Sequence, residues 1–341
     1  MIITSSYLKG LNGIRALCAL FILWGHMSQR DFCQWEISML PLPECCAYVF
    51  FVISGFLAGY RIDKTGGWFP YYKKKVRRII PLYYFYLLVT VVVYLAMGQS
   101  AQVLESRLVY YLFLLPQIPF CCHDGILPLV HLWFIGTIVL FYLIFPLFAK
   151  LKEDTRKVGA VVIAFIWLFL KLSVWFFVGA ESFLYRIISV TCFDVLFAGV
   201  WVGLLMKGKD SLLDKVKRLS WVGVIAWSLF LCSGFYGRLI PAPVRIEYIA
   251  LLSIFIIITQ QAESPFPSLE CRFLNWLGAL SYEIYISHII VIILISSAFA
   301  RVGMELPAIV IYLVCTMIVI GVAWCFRWVC SRTVDKFKLF A

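Results

Sequence analysis

The stretch LNGIRALCALFILWGHM, residues 11–27, carries the pattern that decides the fold of this chain. It is long and apolar enough for a membrane helix, yet it contains Arg15 and His26, which are separated by ten residues. Eleven helical steps of about 100° return almost to the starting direction, so both side chains lie on one face, about 16 Å apart along the axis. Ionisable groups inside a membrane helix are costly to insert and indicate a functional site.

The composition of the whole chain is that of a multi-span membrane protein. The 341 residues are 63% hydrophobic and 14% charged, with a mean hydropathy of +0.94. An ordinary soluble domain is about 25% charged. We therefore expect residues 1–341 to form one all-α transmembrane domain in a lipid bilayer, with no appended soluble domain. The net charge of +12 follows from membrane topology, so we expect no nucleic-acid partner.

Ten apolar spans of about 16 to 24 residues are predicted, close to the 20 or so that cross a bilayer. They are Leu11–Ser28, Cys45–Tyr60, Ile79–Met97, Leu129–Ala149, Val158–Val178, Ile188–Met206, Ser220–Tyr236, Val244–Gln260, Trp276–Phe299 and Leu306–Val329. The piece Leu108–Leu115 is too short to span and is predicted to lie at the interface. The sequence shows no internal repeat and no sign of an interrupted helix.

The basic residues choose the orientation of this bundle of about ten helices. An even number of spans leaves both termini on one side. With a cytoplasmic N-terminus, the opposite side keeps only a small set of basic residues: Arg30, Arg107, Arg186, Arg238, Arg245 and Arg301. Positive residues favour the cytoplasm, so the predicted topology is N-in, C-in. No small-x-small cleavage site follows the first span, which we therefore interpret as retained.

Five cysteines fall on the predicted outer side: Cys33, Cys45, Cys46, Cys121 and Cys122. If that compartment oxidises thiols, one or two disulfides are expected among them. The run Cys121, Cys122, His123 and Asp124 contains metal-binding residue types. Its members are adjacent and lack the spacing of a ligand set, so no metal site is predicted.

The pair in the first span suggests acid–base and anion chemistry. A neutral imidazole at His26 can take a proton from a hydroxyl. The guanidinium of Arg15 offers a planar fork to phosphate or carboxylate. The alternative for His26 is a packed histidine bonded to a neighbouring carbonyl.

Two motifs follow on the next two spans. In FFVISGF, residues 50–56, Ser54 lacks the surroundings of a nucleophile and Gly55 suits close helix packing. In KKKVRRIIP, residues 73–81, the charge is explained by a positive-inside anchor. Lys75 and Arg78 are nevertheless neighbours on a helix face. Beside Arg15 they would form a phosphate site at the cytoplasmic end of the bundle.

Two later motifs add polar groups within spans. HLWFIGTIVLFYLIFP, residues 131–146, places His131 and Trp133 near the outer end of its span. LSYEIYISH, residues 280–288, repeats polar side chains every three positions, and these are Tyr282, Tyr285 and His288. The acids Glu283 and Asp194 also lie within spans and need basic partners inside the bundle.

Together, in this order, these motifs resemble the membrane-bound acyltransferase 3 family over nearly the whole chain. The resemblance implies an O-acyltransferase of the bacterial cytoplasmic (inner) membrane. It would move an acyl group, most often acetyl, from cytoplasmic acyl-CoA to a sugar hydroxyl of a cell-envelope polysaccharide or lipid-linked glycan. Acyl-CoA would be a co-substrate and no cofactor is bound. Polysaccharide-assembly machinery is a partner consistent with this activity.

The resemblance also assigns roles to residues. Arg15 and His26 match the essential pair of the family, with His26 as base or acyl carrier. The donor phosphates would be bound by Arg15, Lys75, Arg77 and Arg78. The substrate cavity would include Ser54, His131, Trp133, Tyr282, Glu283, Tyr285 and His288. Lys75 stands where the family usually has arginine, and Thr137 lies where many members have glutamate.

Two other classes fit part of the sequence. A secondary transporter or flippase for an envelope precursor is consistent with ten spans and scattered intramembrane charges. Transporters commonly have repeated halves and broken helices, which the sequence does not show. A structural subunit of a polysaccharide-assembly complex leaves the Arg15 and His26 stripe unexplained.

Overall fold

The computed structural model of the chain describes residues 8, 10–28, 42–64, 67–98, 101–208, 211–233, 235–261, 269–302 and 307–336. Within these ranges the regular structure consists of helices, without a strand. The α-helices are α1 Leu11–Ser28, α2 Leu42–Tyr60, α3 Trp68–Ala96, α4 Ala101–Leu112, α5 Gln117–Cys121, α6 Trp133–Ala149, α7 Glu153–Phe177, α8 Phe183–Thr191, α9 Phe193–Lys207, α10 Ser211–Cys232, α11 Tyr236–Leu239, α12 Arg245–Gln261, α13 Arg272–Ala279, α14 Ser281–Val302 and α15 Ala308–Lys336. Three 3₁₀ turns, Ile62–Lys64, Leu127–Leu132 and Ala242–Val244, connect them.

Seven helical stretches of the described chain are long and apolar enough to cross a membrane. They are Trp68–Ala96, Pro128–Ala149, Glu153–Phe177, Phe183–Lys207, Ala242–Gln261, Ser281–Phe299 and Ala308–Thr333. Two further apolar helices, Cys45–Tyr60 and Leu219–Cys232, are shorter. The prediction of an all-helical membrane protein is confirmed, whereas the number of ten spans stays a prediction. The predicted span Leu11–Ser28 is helix α1, with the same bounds.

Helix α1 lies inside the bundle, packed against α2, α13, α14 and α15. Ala16, Leu23 and Met27 are fully buried. The contact with α13 is a close approach of two backbones, because a Cβ added to Gly278 would lie 1.9 Å from the carbonyl oxygen of Asn12. Because α1 is packed on several sides, its backbone fixes the positions from which Arg15 and His26 project.

Helices α2 and α9 cross at glycines. A Cβ added to Gly55 would lie 1.9 Å from the carbonyl oxygen of Leu196, and one added to Gly199 would lie 2.4 Å from that of Val52. Gly59 and Gly203 extend the same contact by one turn on each helix. Small residues four apart allow membrane helices to touch through their backbones. The expectation that Gly55 serves helix packing is therefore confirmed.

The predicted span Ile188–Met206 is not one continuous helix. Cys192 has a φ of 50°, in the left-handed region that non-glycine residues enter rarely, and it separates α8 from α9. The expectation that no helix is interrupted was therefore wrong. No proline or glycine occurs from residue 183 to residue 198, so the cause of the break lies in tertiary contacts rather than in local sequence.

Side chains compensate the carbonyl groups that this break leaves free. Thr137 donates to the Val190 oxygen at 2.9 Å, and the Trp167 indole donates to the Ile188 oxygen at 3.0 Å. The Cys192 thiol donates to the Ser189 oxygen at 3.0 Å. A buried carbonyl without a partner is costly, and these three bonds remove that cost. Thr137, fully buried, therefore has a structural role at the break.

The described cysteines are free thiols, which corrects the expected disulfides. Cys45 and Cys46 lie within helix α2 and are buried, and the thiol of Cys46 contacts that of Cys18. Burial raises the pKa of the Cys121 thiol to about 12, which leaves it unreactive at neutral pH. Its neighbour Cys122 is exposed and also free. Cys33 lies outside the described residues.

Candidate active site

A cavity of about 610 Å³ opens within the bundle, between helices α1, α2, α3, α6 and α14. We call it the basic cavity. Its lining consists of Arg15, Phe50, Ile53, Ser54, Leu57, Ala58, Arg61, Pro70, Tyr71, Lys74, Lys75, Arg78, Ile79, Phe134, Ile135, Ile138, Tyr142, Phe145, Ser281, Tyr282 and Tyr285. One end of this set is basic and the other is aromatic.

The basic end carries five cationic side chains: Arg15, Arg61, Lys74, Lys75 and Arg78. No carboxylate occurs among the described residues that line the cavity. Grouped like charges with low-dielectric walls favour an anion. The structure thus brings three of the predicted phosphate-binding residues, Arg15, Lys75 and Arg78, into one site. Arg77 is exposed on α3 and is not part of the lining.

The nearest loop acid does not neutralise these cations. Asp63, two residues after Arg61, binds Lys207 on α9 and Arg156 on α7, the latter at 3.1 Å. The hydrogen bond from Lys207 and the charge of Arg156 hold the pKa of the Asp63 carboxyl below its ordinary value. Asp63 is therefore ionised but already paired, and the positive charge of the cavity remains available to a ligand.

Tyr142 of α6 lines the cavity and contacts polar side chains from neighbouring helices. The ammonium group of Lys75 lies 3.6 Å from the centre of its ring, a cation–π contact. Its hydroxyl lies beside the side chain of Ser54. Sequence reasoning did not single out Tyr142, although it lies in the quoted segment of residues 131–146. Ser54 therefore lines the cavity next to Tyr142.

Two hydroxyl groups in the cavity wall are unsatisfied. The Tyr71 hydroxyl and Ser281 Oγ are buried and have no hydrogen-bond partner within the described residues. Buried polar groups in native proteins are almost always bonded, so unpaired ones in a cavity wall suit a polar ligand. Tyr71 and Ser281 are further residues that sequence reasoning missed.

The aromatic end of the cavity is formed by Phe50, Phe134 and Tyr285. The Phe134 ring lies 4.9 Å from that of Tyr285 and 6.1 Å from that of Phe50, measured between ring centres. The Tyr285 hydroxyl donates to the carbonyl oxygen of His131 at 2.5 Å. Tyr282, in the same wall, donates to the Ile79 oxygen at 3.1 Å. Both predicted tyrosines therefore line the cavity and are held by backbone carbonyls.

Three histidines lie behind Tyr285, and we call them the histidine cluster: His26, His131 and His288. The ring of His288 lies 5.1 Å from that of His26 and 5.0 Å from that of His131. His131 and His288 are buried, whereas His26 is half-buried. None of the three lines the basic cavity. His131 and His288, predicted for the substrate cavity, contact Tyr285 of its wall rather than lining the basic cavity themselves.

Trp133 and Glu283 also lie outside the lining. The Trp133 ring packs 5.3 Å from Phe120 and 5.9 Å from Phe51. Glu283 receives two bonds from Arg327 of α15, Nε to Oε1 at 2.8 Å and Nη2 to Oε2 at 3.0 Å. This is the basic partner that the sequence required. Arg327 itself was missed, although an arginine within a long apolar span is a signal that points to such a pair.

A second group of buried charges lies away from the cavity, on α7, α9 and α12. Lys171 Nζ lies 2.9 Å from Asp194 Oδ2 and also binds Glu247. The side chains of Lys171 and Asp194 are 1% and 4% exposed. We call these three residues the ion triad. The expectation that Asp194 needs a basic partner is therefore confirmed. Among the described residues no group of three or more His, Cys, Asp or Glu side chains is arranged to hold a metal ion.

The sequence of this chain is similar to those of known acyltransferases. A family model described as an acyltransferase domain matches residues 8–328. The O-acetyltransferase OatA of Staphylococcus aureus, from strains NCTC 8325 / PS 47, COL and MRSA252, is 24% identical over 368 aligned residues. The alignment covers 98% of this chain but 58% of each relative, so the chain spans little more than half their length. No solved structure matches.

Proposed function

The chain belongs to the acyltransferase 3 family, and from this premise we propose that it is an integral membrane O-acyltransferase. The donor is cytoplasmic acyl-CoA, with acetyl as the acyl group. The acceptor is a sugar hydroxyl of a cell-envelope polysaccharide or lipid-linked glycan. The observation that carries the proposal is the basic cavity, which combines five cationic side chains at one end with the histidine cluster behind its other end.

The cationic end suits the donor. Coenzyme A carries its phosphates at one end and its thioester at the other, joined by a thin, flexible arm. Arg15, Arg78 and Lys75 bind the phosphates, with Arg61 and Lys74 at the edge of the same cavity. Charge-assisted bonds to phosphate are stronger than neutral ones. The unsatisfied hydroxyls of Tyr71 and Ser281 bind polar groups of the arm.

The aromatic end suits the reacting group. The thioester lies beside Phe134 and Tyr285, within reach of the histidine cluster. His26 takes the proton of the acceptor hydroxyl while the hydroxyl oxygen attacks the thioester carbonyl carbon. The new ester C–O bond forms, the C–S bond breaks, and the proton ends on the thiolate of coenzyme A. A positioned base of this kind accelerates a reaction by about 10²- to 10⁴-fold.

A covalent route is the alternative within the same function. In it His26 attacks the thioester, carries the acyl group and passes it to the acceptor. Rapid quenching of the protein with radiolabelled acetyl-CoA separates the two routes. Label on His26 before acceptor is added supports the covalent route, whereas its absence during productive turnover supports the base.

The proposed topology is ten spans with both termini in the cytoplasm, in the bacterial inner membrane. It places the cationic end of the basic cavity at the cytoplasmic side, where acyl-CoA is found, and His26 about three turns of α1 nearer the outer side. Labelling of single introduced cysteines with a membrane-impermeant maleimide tests it. Residues beside Lys74 should react from the cytoplasm and residues beside Asp124 from outside.

The central experiment is mass analysis of surface glycans from cells that express wild-type protein, Arg15→Ala or His26→Ala. Both substitutions are expected to abolish acylation at equal levels of inserted protein. The matched control is His123→Asn, because His123 is exposed outside the bundle, with a φ of 55° that asparagine tolerates. Unchanged acylation in the His26→Ala protein would overturn the proposal.

A transporter or flippase remains the second candidate, and the interrupted helix at Cys192 is the observation that favours it. Broken helices in transporters use free carbonyls to bind ions or substrates. Here the carbonyls of Ile188, Ser189 and Val190 are bonded within the protein. Purified protein that binds acetyl-CoA and releases coenzyme A supports the enzyme. Transport of an envelope precursor into vesicles without acyl-CoA supports the transporter.

A further inference from the structure

Three of the four histidines of the chain meet in the histidine cluster, although they come from distant parts of the sequence. His26 belongs to α1, His131 to the 3₁₀ turn before α6, and His288 to α14. The middle ring is that of His288, which lies close to both others. The cluster therefore joins two buried imidazoles, His131 and His288, to the half-buried imidazole of His26.

Backbone carbonyls fix the tautomers of the two buried histidines. His288 Nδ1 lies 2.6 Å from the Tyr285 oxygen, and His131 Nε2 lies 3.1 Å from the Ile286 oxygen. A carbonyl oxygen only accepts hydrogen bonds, so each of these nitrogens carries the hydrogen. The other nitrogens, His288 Nε2 and His131 Nδ1, then carry lone pairs. Both are buried and have no partner within the described residues.

The imidazole rings are in contact, with centres 5.1 Å apart for His26 and His288 and 5.0 Å apart for His288 and His131. His288 Nε2 and His131 Nδ1 have no hydrogen-bond partner within the described residues, so these nitrogens do not yet face each other and proton transfer between the rings requires a rotation of the imidazoles. His288 Nε2 projects away from its own helix, because Nδ1 is turned back to the carbonyl three residues earlier. After such a rotation, a proton on His288 Nε2 can be donated to the lone pair of His131 Nδ1.

We propose that His288 and His131 form a proton relay with His26. This proposal rests on the proposed acyl transfer. His26 removes the proton from the acceptor hydroxyl and passes it to His288, which shares it with His131. The thiolate that leaves the thioester in the basic cavity takes the proton up. Each proton removed from a hydroxyl thus ends as one S–H bond, and the relay returns to its neutral state.

The surroundings of the relay contain few other titratable groups. Within the described part of the chain, the ring contacts of His131 and His288 with titratable side chains are those with Tyr86 of α3, with Tyr285 of α14 and with the histidines themselves. Tyr86 and Tyr285 donate to the carbonyl oxygens of Pro128 and His131. Both tyrosine protons are thereby engaged, which leaves the imidazole nitrogens to carry the transferred proton.

Two substitutions remove the relay and keep the structural bonds. In His288→Asn the amide replaces Nδ1–H as donor to the Tyr285 oxygen, and in His131→Gln the amide replaces Nε2–H as donor to the Ile286 oxygen. Each is expected to lower kcat by about 100-fold and to flatten the kcat–pH profile near neutrality. The Kd for acetyl-CoA should stay within about twofold, because no phosphate contact changes. His123→Asn is the matched control.

A measurement on wild-type protein makes the test independent of how well the variants fold. Rates in mixtures of H₂O and D₂O are expected to depend on deuterium content along a curve, because more than one proton moves in the relay. A straight line, or variants with kcat within about threefold of wild type, would overturn the relay and leave the acyltransferase in place. Wild-type protein that neither binds nor turns over acetyl-CoA would overturn the proposed function and the relay together.

Discussion

The basic cavity and the ion triad both contain charged side chains inside the helix bundle. They differ in whether the positive charges have acidic partners. In the triad, Lys171 is matched by Asp194 and Glu247, which leave it 1% exposed. In the cavity, Arg15, Lys75 and Arg78 face open space without a carboxylate among the described lining residues. Paired charges of opposite sign join helices, whereas a group of positive charges without acidic partners attracts an anionic ligand. Substitutions should therefore affect stability in one region and ligand binding in the other.

The largest effect is expected for Lys171→Met. It leaves the buried carboxylate of Asp194 and the half-buried carboxylate of Glu247 without their cation, which costs about 3–5 kcal/mol of unfolding free energy. Thermal and denaturant unfolding in detergent measures it, and acetyl-CoA affinity of the folded fraction should not change. The control Lys152→Met, at an exposed position before the same helix, should stay within about 0.5 kcal/mol of wild type. Equal stability of the two variants would contradict the structural role of the triad.

Arg15→Ala is the counterpart in the basic cavity. Loss of its contact with a phosphate should cost about 2–3 kcal/mol, which weakens coenzyme A binding by about 30- to 150-fold. Stability should not fall, because one of several like charges is removed. Isothermal titration of purified protein with coenzyme A measures the effect. Arg332→Ala, exposed at the end of α15, serves as control, and an equal loss there would point to nonspecific charge attraction.

Thr137→Val tests the compensated carbonyl at the helix break. The substitution keeps the shape but leaves the Val190 oxygen unpaired, at a cost of about 1–3 kcal/mol of unfolding free energy. Thr155→Val, on an exposed turn of α7, should be neutral. Activity per folded molecule should be unchanged. A loss of activity without a loss of stability would instead give Thr137 a direct role in the reaction.

Lys75→Arg should have the smallest effect, and it should strengthen coenzyme A binding rather than weaken it. A guanidinium offers two parallel bonds to a phosphate where an ammonium acts as a point charge. Coenzyme A affinity should rise by about three- to tenfold, or about 1 kcal/mol, and Lys75→Met should lower it. The same titration measures both. Equal affinity for all three side chains would remove Lys75 from the phosphate site.

The sequence predicted the features that follow from hydrophobicity and from the cost of buried charge. The bounds of α1 and the need of Asp194 and Glu283 for basic partners were correct. The partners themselves, Lys171 and Arg327, were not identified. They lie 23 and 44 residues away, and which helix faces meet is decided by packing of the whole bundle rather than by local pattern.

The residues that surround Arg15 and His26 could not be predicted from the sequence either. Helical periodicity places the two on one face of α1, but it says nothing about what stands beside that face. Tyr285, which lines the cavity, and His288, whose ring lies 5.1 Å from that of His26, both come from α14. The break at Cys192 was missed for a similar reason, because Thr137 and Trp167 stabilise it from other helices.

The glycine crossing of α2 and α9 has a mechanical consequence. At Gly55, Gly59, Gly199 and Gly203 the two backbones touch without space for a Cβ. Sliding either helix by one residue would bring a side chain into that contact, so the two move as one rigid body. Helix α2 also carries Ser54 in the cavity wall. The contact with α9 therefore holds this wall of the cavity in place. Any change in the width of the cavity would therefore require movement of the other lining helices, α1, α3, α6 and α14, relative to this pair.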